Sequence, residues 1–332
     1  MGDSPILQPS AGRSTLDVGV SPRVSIVVPT YRRPKFLERA VTSVQRQTVT
    51  DWELIIVDDN APGSDDRHVT QCLAERLMSD ARIRYLRHPT NRGGAAARNT
   101  GVRDATSSVV AFLDDDDEWD PTKLEQQLGR LANSPENVAL VYCRMWVVTE
   151  ASARPFLWPT SGAQHTVRDL LMRNTIGSTS CIVCRRQALL DIDLFDESLP
   201  SHQDLDLYVR LADSYRFVFV DAPLVTIHRH SQPRVSTNFD GALRANTLFF
   251  EKHRLRIESD RTVLHARLLQ RGKLLLAAEH FGEARKVLMR ALRLKPIHHE
   301  TVARFALTFA FPRALVAPAK RVVRSVSRHR PG

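Results

Sequence analysis

The sequence predicts an α/β protein with a doubly wound, mostly parallel sheet and a helical region appended at its C-terminal end. Short β-branched runs alternate with segments whose apolar residues recur at helical spacing. The runs are apolar throughout, as in strands that helices cover on both faces. Beyond about residue 239 strand signals become few, and 332 residues with 42% hydrophobic content can bury the core that this arrangement requires.

The elements begin after a leader at residues 1–22, which is rich in Ser, Pro and Gly and which we expect to be flexible. Helical spacing between consecutive strand candidates makes each pair a β-α-β unit with parallel strands. The four predicted strands are VSIVV at 24–28, LIIV at 54–57, IRYL at 83–86 and VVAFL at 109–113.

Polar residues follow all four predicted strands, at residues 29–33, 58–60, 88–94 and 114–117. Ligands of such sheets bind outside the carboxyl ends of the strands, so these segments define the predicted site. Four polar strand ends, two of them acidic, predict a pocket for a polar ligand coordinated through a metal.

The fourth strand ends at four consecutive carboxylates, residues 114–117. Two like charges about 4 Å apart repel by about 4 kcal/mol at an effective dielectric constant of about 20, so such a cluster favours a bound cation. Ligands that are all oxygen atoms favour Mg²⁺ or Mn²⁺. The alternative is a solvated acidic turn.

The third strand end continues as NRGGAAARNTG, residues 91–101. Its two glycines allow close backbone approach, and the N–H groups at the start of the following helix could bind an anion. Arg92 and Arg98 could add contacts to phosphate. The alternative is a simple turn. The segment does not match the glycine motifs of dinucleotide-binding or phosphate-loop proteins, which argues against both classes.

The segments VSIVVPTYRR, IIVDDN, NRGGAAARN and FLDDDDEWDPTKL occur in the order and at about the spacing found in family 2 glycosyltransferases. The resemblance covers roughly residues 23–230 and implies the GT-A fold. It also implies an inverting enzyme that uses Mn²⁺ or Mg²⁺ and a nucleoside-diphosphate sugar, most often a UDP-sugar. A cation at the diphosphate would stabilise the leaving nucleoside diphosphate.

The resemblance implies nucleotide contacts at the first two strand ends. The base and ribose would be held by Pro29, Thr30 and Tyr31. The uracil ring would contact Asp59, with Asp58 beside it.

The same resemblance places the metal motif at the aspartate run. Asp116 corresponds to the direct metal ligand, and Asp114 or Asp115 corresponds to a ribose or water-mediated contact; Asp114 is also a candidate ligand. Four aspartates in a row allow the register to slip by one, so Asp117 stays a candidate.

An inverting transferase needs a base for the acceptor hydroxyl, and LPSHQDLDLYVRL at residues 199–211 resembles the segment that supplies it. Asp204 is the expected base, near the start of a helix whose dipole favours an ionised carboxylate. The family usually has an acidic pair here, but this chain has Gln203 before Asp204. The alternatives are that Asp204 is a helix N-cap and that Asp206 is the base.

Two histidines follow in PLVTIHRHSQPRVSTN, residues 223–238, which resembles the segment that closes over the diphosphate. His230 matches a histidine often found there and is a candidate metal or phosphate contact, with His228 two residues earlier. The alternative for both is a surface or packing role.

The C-terminal part is predicted as a helical region at 236–310, following a GT-A domain at 23–235. Residues 271–296 resemble one tetratricopeptide-type hairpin, which we expect to pack on the catalytic domain because a single unit buries no continuous core of its own. A basic tail at 311–332 could lie on an anionic membrane surface, near a lipid-linked acceptor, or remain solvated.

Composition sets the remaining expectations. The net charge is +10 with an isoelectric point near 9.9, but the basic excess is concentrated in the tail and no nucleic-acid motif is present, so nucleic-acid binding is not expected. Without a membrane-spanning run, the expected location is the cytoplasm or the cytoplasmic face of a membrane. A nucleotidyltransferase is the enzymatic alternative, although the chain lacks an early glycine-rich, basic nucleotide loop.

Overall fold

The structure is a computed structural model that describes residues 21–149, 152–158, 165–229 and 239–309. The predicted leader, except for its last two residues, and the basic tail lie outside the described residues. His230 and the boundary expected at 235/236 also lie outside them.

Nine strands form one sheet in the described part of the chain. The four predicted strands are confirmed as the first four, each within two residues of the expected ends. The strands are β1 Val24–Thr30, β2 Trp52–Asp58, β3 Ile83–Arg87, β4 Val109–Phe112, β5 Asp117–Trp119, β6 Val138–Thr149, β7 Ser152–Trp158, β8 Ile182–Arg185 and β9 Arg216–Arg229.

The α-helices alternate with the first strands and then continue alone after β9. Those within the sheet region are α1 Pro34–Gln45, α2 Asp65–Leu77, α3 Gly94–Asp104, α4 Lys123–Ala132, α5 Val167–Met172, α6 Arg186–Asp191 and α7 Gln203–Leu211. The C-terminal helices are α8 Phe239–Lys252, α9 Arg254–Ser259, α10 Arg261–Ala277, α11 Phe281–Leu294 and α12 His299–Leu307.

The sheet has a parallel half and a mixed half. The strand order is β3-β2-β1-β4-β8-β6-β9-β5, with β7 paired to β6. All pairs among β1 to β4 are parallel, as predicted from the β-α-β pattern. β8 then pairs antiparallel with both β4 and β6, and β9 runs parallel to β6. Since the short strand β5 pairs antiparallel with β9, the aspartate run connects the two halves.

Alternate side chains of the central strands enter two different cores, one on each face of the sheet. Val27 and Ile55 belong to one cluster, whereas Ile26 and Leu54 belong to the other, and all four are fully buried. Because both faces of the sheet are covered, these strands are apolar at consecutive positions.

The C-terminal helices share one of these cores. Phe249 of α8 and Leu264 of α10 belong to the same buried cluster as Val27 of β1. The hairpin of α10 and α11 begins at Arg261, ten residues before the predicted start at Arg271, because Asp260 caps α10 through the N–H groups of its first turn. Among the described residues, no helix is long and apolar enough to cross a bilayer.

Candidate active site

The polar ends of the parallel strands lie side by side along one edge of the sheet. Beyond the strands, the Asp59 N–H donates to the Thr30 carbonyl oxygen at 3.0 Å, and the His88 N–H donates to the Asp58 carbonyl oxygen at 2.9 Å. β4 pairs with β1 on its other side and brings the aspartate run to the same edge. The strand ends that the sequence singled out are therefore neighbours.

Asp115 links the aspartate run to the end of β1. Its Oδ2 accepts a hydrogen bond from the Thr30 hydroxyl at 2.9 Å and lies 3.4 Å from the Tyr31 backbone nitrogen. Pro29 precedes them within β1. The Tyr31 side chain is 39% exposed, so its ring is accessible to a planar ligand.

Arg33 compensates part of the negative charge of the run. Its Nη1 lies 2.7 Å from Asp116 Oδ2 and 3.8 Å from Asp115 Oδ1. Burial, and then the charge of Asp116, raises the pKa of Asp115 to about 7, although Arg33 and the Thr30 hydroxyl lower it. Burial and the neighbouring Asp116 therefore oppose ionisation of Asp115 more strongly than Arg33 and the Thr30 hydroxyl favour it.

Arg98 connects the aspartate run with α7. Its Nη2 lies 2.5 Å from Asp114 Oδ1, and its Nη1 donates to Gln203 Oε1 at 3.3 Å. Gln203 is the first residue of α7, so Arg98 brings the carboxylate of Asp114 to the start of the helix that carries Asp204. These two segments are about 90 residues apart in the sequence.

Asp204 is the second residue of α7 and is partly buried. Its Oδ2 accepts a hydrogen bond from Asn174 Nδ2 at 2.7 Å. Burial raises the pKa of Asp204, while the Leu205 N–H and the charge of Arg98 act in the opposite direction. A carboxylate with a raised pKa is a stronger base, as a proton acceptor working near neutral pH requires.

The alternative that Asp204 caps α7 is wrong. The N-cap is His202, whose φ of 63° lies in the left-handed region. Residues other than glycine are uncommon there and concentrate at functional sites.

Asp206, the alternative base, is fully buried. Its carboxylate contacts Arg210 at 2.8 Å, Lys252 at 3.0 Å and His253 at 2.9 Å. Lys252 and His253 lie at the end of α8 and directly after it, so Asp206 joins α7 to the C-terminal helices. This ion-pair network gives Asp206 a structural role.

Asp59 holds the segment after β3. Its carboxylate lies 2.7 Å from His88 Nδ1 and accepts hydrogen bonds from Asn91 Nδ2 at 2.8 Å, the Arg92 N–H at 2.8 Å and the Gly93 N–H at 2.7 Å. These four contacts engage both carboxylate oxygens. Asp59 therefore organises the loop that leads into α3, and its contact with a uracil ring stays a prediction.

Asp58 is fully buried beneath Asp59. It contacts the Tyr85 hydroxyl and accepts a hydrogen bond from the Asn60 N–H at 2.8 Å; Arg67 Nε lies 3.3 Å away. The nucleotide contact predicted for Asp58 also stays a prediction.

Arg92 and the glycine pair lie where the sequence placed them, at the start of α3. Gly93 has a φ of 89°, which favours glycine, and directs the chain into the helix. The Arg92 side chain is exposed and pairs with Glu197 at 3.1 Å. Because the N–H groups of Arg92 and Gly93 donate to Asp59, the predicted anion site has fewer open donors than the sequence suggested.

Asp117 has a different partner from the other three carboxylates of the run. It begins β5, is 2% exposed and accepts a hydrogen bond from the Ser180 hydroxyl at 2.6 Å. Which of the four aspartates would hold the metal stays a prediction.

His228 contacts Glu118 at 2.7 Å, and Arg39 Nε lies 3.1 Å from the same carboxylate oxygen. This network flanks the aspartate run on the β9 side. His230, the candidate metal ligand, lies outside the described residues.

The donor atoms of the run are of the type that a divalent cation prefers, although their contacts in this structure are with arginines. Asp114, Asp115 and Asp116 offer carboxylate oxygens from one turn of backbone, the ligand type that Mg²⁺ and Mn²⁺ prefer. Within the described ranges no three His, Cys, Asp or Glu side chains are grouped as metal ligands. Arg33 and Arg98 contact Asp116 and Asp114 instead, so these carboxylates would have to turn towards a cation.

Sequence reasoning assigned no role to two residues of this site. Arg33 lies in the polar segment 29–33 that the sequence singled out, but no pattern in the sequence indicates its contacts with Asp115 and Asp116. Asn174 is 30 residues from Asp204 in the sequence, and no pattern marks it.

The family comparison gives a direct match. A family model described as Glycosyl transferase family 2 matches residues 25–193. The putative colanic acid biosynthesis glycosyl transferase WcaA of Escherichia coli (strain K12) is 31% identical over 201 residues, which cover 59% of this chain and 68% of WcaA.

Two solved structures share the fold at low sequence identity. S. aureus TarS 1-349 in complex with UDP-GlcNAc has a TM-score of 0.55 and 17% identity, covering 92% of both chains. Mannosyltransferase PcManGT from Pyrobaculum calidifontis, in complex with GDP-Man and Mn²⁺, has a TM-score of 0.53 and 18% identity, covering 94% of this chain and 82% of PcManGT. These likenesses confirm the fold class.

Proposed function

The chain belongs to glycosyl transferase family 2 and is a glycosyltransferase, and on that premise we propose that it moves a sugar from a nucleoside-diphosphate sugar to a hydroxyl acceptor with inversion of the anomeric centre. One observation carries the proposal: Arg98 joins Asp114, a candidate metal carboxylate, to the start of α7, the helix that carries the candidate base Asp204.

In the proposed reaction Asp204 accepts the proton of the acceptor hydroxyl as that oxygen attacks the anomeric carbon. Its raised pKa and its fixed contact with Asn174 suit this role, since proton transfer requires both basicity and position. Tyr31 and Thr30 would hold the base and ribose of the donor, and Arg92 and Arg98 would contact its phosphates.

Metal dependence is part of the proposal. Asp116 and Asp114, with Asp115 or a water as intermediary, would hold Mn²⁺ or Mg²⁺. When bound, the cation would act as a Lewis acid that stabilises the charge on the leaving diphosphate. The support is the donor set of the run and the Mn²⁺ in the similar PcManGT structure.

UDP is the proposed nucleotide because IIVDDN resembles the segment that contacts uracil, and because the similar TarS structure holds UDP-GlcNAc. The PcManGT structure holds GDP-Man, which makes the nucleotide the first property to measure. The acceptor would be a saccharide or lipid-linked hydroxyl in glycan synthesis, as the name of WcaA suggests for that relative. The enzyme would work in the cytoplasm, or on the cytoplasmic face of a membrane if its basic tail binds anionic lipid.

A nucleotide screen tests this proposal. Thermal unfolding of the full chain would be followed with UDP, GDP, CDP and dTDP, each with Mn²⁺ or with EDTA. Ligand binding to the folded state raises the unfolding temperature, and we expect the largest rise with UDP and Mn²⁺ together. No rise with any nucleoside diphosphate would contradict the proposed donor class. A larger rise with GDP than with UDP would indicate a GDP-sugar as the donor.

A further inference from the structure

We propose that Arg33 is a positioning residue that holds Asp115 and Asp116 together in the cation-free enzyme and leaves them when a divalent cation binds, so that its guanidinium can contact the donor diphosphate. This inference rests on the proposed metal dependence.

Arg33 contacts two neighbouring carboxylates of the aspartate run. Arg33 Nη1 lies 2.7 Å from Asp116 Oδ2 and 3.8 Å from Asp115 Oδ1, so one nitrogen faces two carboxylates. The side chain of Asp115 is only 7% exposed and that of Asp116 only 10%, whereas that of Arg33 is 26% exposed. The guanidinium therefore takes the place of a cation between two buried carboxylates.

A divalent cation would need the same carboxylate oxygens as Arg33. A divalent ion requires the lone pairs of the carboxylate oxygens that Arg33 contacts, and its positive charge repels a guanidinium at the same place. The exposed side of the arginine gives it room to move outward. Cation and guanidinium therefore compete for Asp116.

Asp115 and Asp116 also have contacts that do not involve Arg33. Arg39 Nη2 donates to the Asp116 carbonyl oxygen at 2.8 Å, and the Thr30 hydroxyl holds Asp115 Oδ2 at 2.9 Å. Departure of Arg33 would leave both contacts in place. The carboxylates could thus change partners without rearrangement of the strand ends.

Arg33 lies close to the residues expected to hold the nucleotide. It directly precedes α1 and follows the end of β1 by three residues. Arginine binds phosphate oxygens through paired N–H groups, so a diphosphate beside the cation is a suitable new partner. Arg33 would then oppose cation binding alone and support binding of the complete donor.

These two opposite effects define the experiment. Binding of Mn²⁺ alone to the full chain would be measured by electron paramagnetic resonance of the free ion, and UDP affinity would be measured by calorimetry at saturating Mn²⁺. Arg33→Gln and Arg33→Ala would be compared with Arg76→Ala, which removes the exposed partner of Glu38 on the surface. Arg33→Gln keeps a hydrogen-bond donor and serves if the alanine variant folds poorly.

We expect the Arg33 variants to bind Mn²⁺ about three- to fivefold more tightly than the wild type, the range expected for removal of a competing, partly exposed ion pair. We expect them to bind UDP with Mn²⁺ more weakly, by about fivefold or more. Arg76→Ala should change neither affinity.

Unchanged or weaker Mn²⁺ binding by Arg33→Gln would overturn the inference. If the wild type still bound UDP in a Mn²⁺-dependent way, the proposed function would survive that result. If neither protein bound Mn²⁺ with or without UDP, the inference would fall together with the proposed metal dependence.

Discussion

Asp204 and Asp59 have the same side chain but different surroundings, which suit them to different roles. The carboxylate of Asp59 is engaged by four surrounding nitrogens and is 2% exposed. Asp204 is more accessible, and burial raises its pKa. A carboxylate whose two oxygens both accept hydrogen bonds is suited to holding a loop. A carboxylate with a raised pKa is suited to accepting a proton.

Replacement of Asp204 by Asn should separate chemistry from binding. The amide cannot accept the proton of the acceptor, so turnover should fall by about 10²-fold or more, while the affinity for UDP with Mn²⁺ should stay within about twofold. Steady-state kinetics and calorimetry measure the two quantities. Asp213→Asn, at a surface pair with Arg256, is the matched control. Near-normal turnover of the Asp204 variant would assign the base to another residue.

The pH dependence of kcat/KM gives a second test of Asp204. The base works only when ionised, so the rate should fall as the pH decreases through its pKa. Because burial raises that pKa, the acidic limb should lie above the range near 4 of an ordinary aspartate. An acidic limb at or below that range would show that the rate depends on a different group.

Replacement of Asp59 by Asn should lower the stability of the folded protein, because Asp59 holds a loop. Asparagine keeps one acceptor oxygen and replaces the other by an NH2 donor, so either the Arg92 N–H or the Gly93 N–H would lose its acceptor in a partly buried place. We expect a loss of about 3 kcal/mol in the free energy of unfolding by urea denaturation. Unchanged stability together with weaker UDP binding would instead support a direct base contact.

At the scale of elements, the site depends on strands from both halves of the sheet. β1, β2 and β4 supply the polar ends, and β5, which pairs with β9, begins at Asp117. The parallel half could be predicted because each strand is a short apolar run followed by a helical segment. The mixed half could not, since the pairing of β6 with β8 and β9 joins segments that no local pattern relates.

The packing of α10 on α11 allows a matched pair of glycine substitutions. A Cβ at Gly272 would lie 2.4 Å from Leu288 Cδ2, whereas a Cβ at Gly282 would have no neighbour within 4 Å. Gly272→Ala should therefore cost about 1–3 kcal/mol in the free energy of unfolding, while Gly282→Ala should be neutral or stabilise by up to about 1 kcal/mol. Equal effects in urea denaturation would show that this close helix contact is absent.

At the scale of the whole molecule, the C-terminal helices and the sheet are joined by shared burial. The Arg267 guanidinium donates to the Leu170 carbonyl oxygen at 3.0 Å and lies 4.5 Å from the centre of the Phe249 ring. Phe249 belongs to the core cluster that also contains residues of β1. We infer from this that the helical region supports the catalytic domain.

This shared core has a measurable consequence. Calorimetry of the full chain should show one cooperative unfolding transition, because neither part can lose its packing without exposing the core of the other. Two separated transitions would indicate an independent helical domain.

The site could be predicted from the sequence to the extent that each of its parts follows a strand. The aspartate run, Tyr31 and Arg98 were found in this way, and the structure brings them to one edge. What the sequence could not provide were side-chain partners across long separations, such as Asn174 with Asp204. The burial of Asp59 was not predicted either, because the donors that surround it come from residues 88–93, in the segment after the next strand.

The central claim is that the aspartate run binds a divalent cation that in turn binds the diphosphate of the donor. Calorimetric titration of UDP into the wild type and into Asp116→Ala, each with Mn²⁺ and with EDTA, tests it most directly. We expect Mn²⁺ to strengthen UDP binding to the wild type by about tenfold or more, and to have little effect on the variant. Equal dependence on Mn²⁺ in both proteins would contradict the claim.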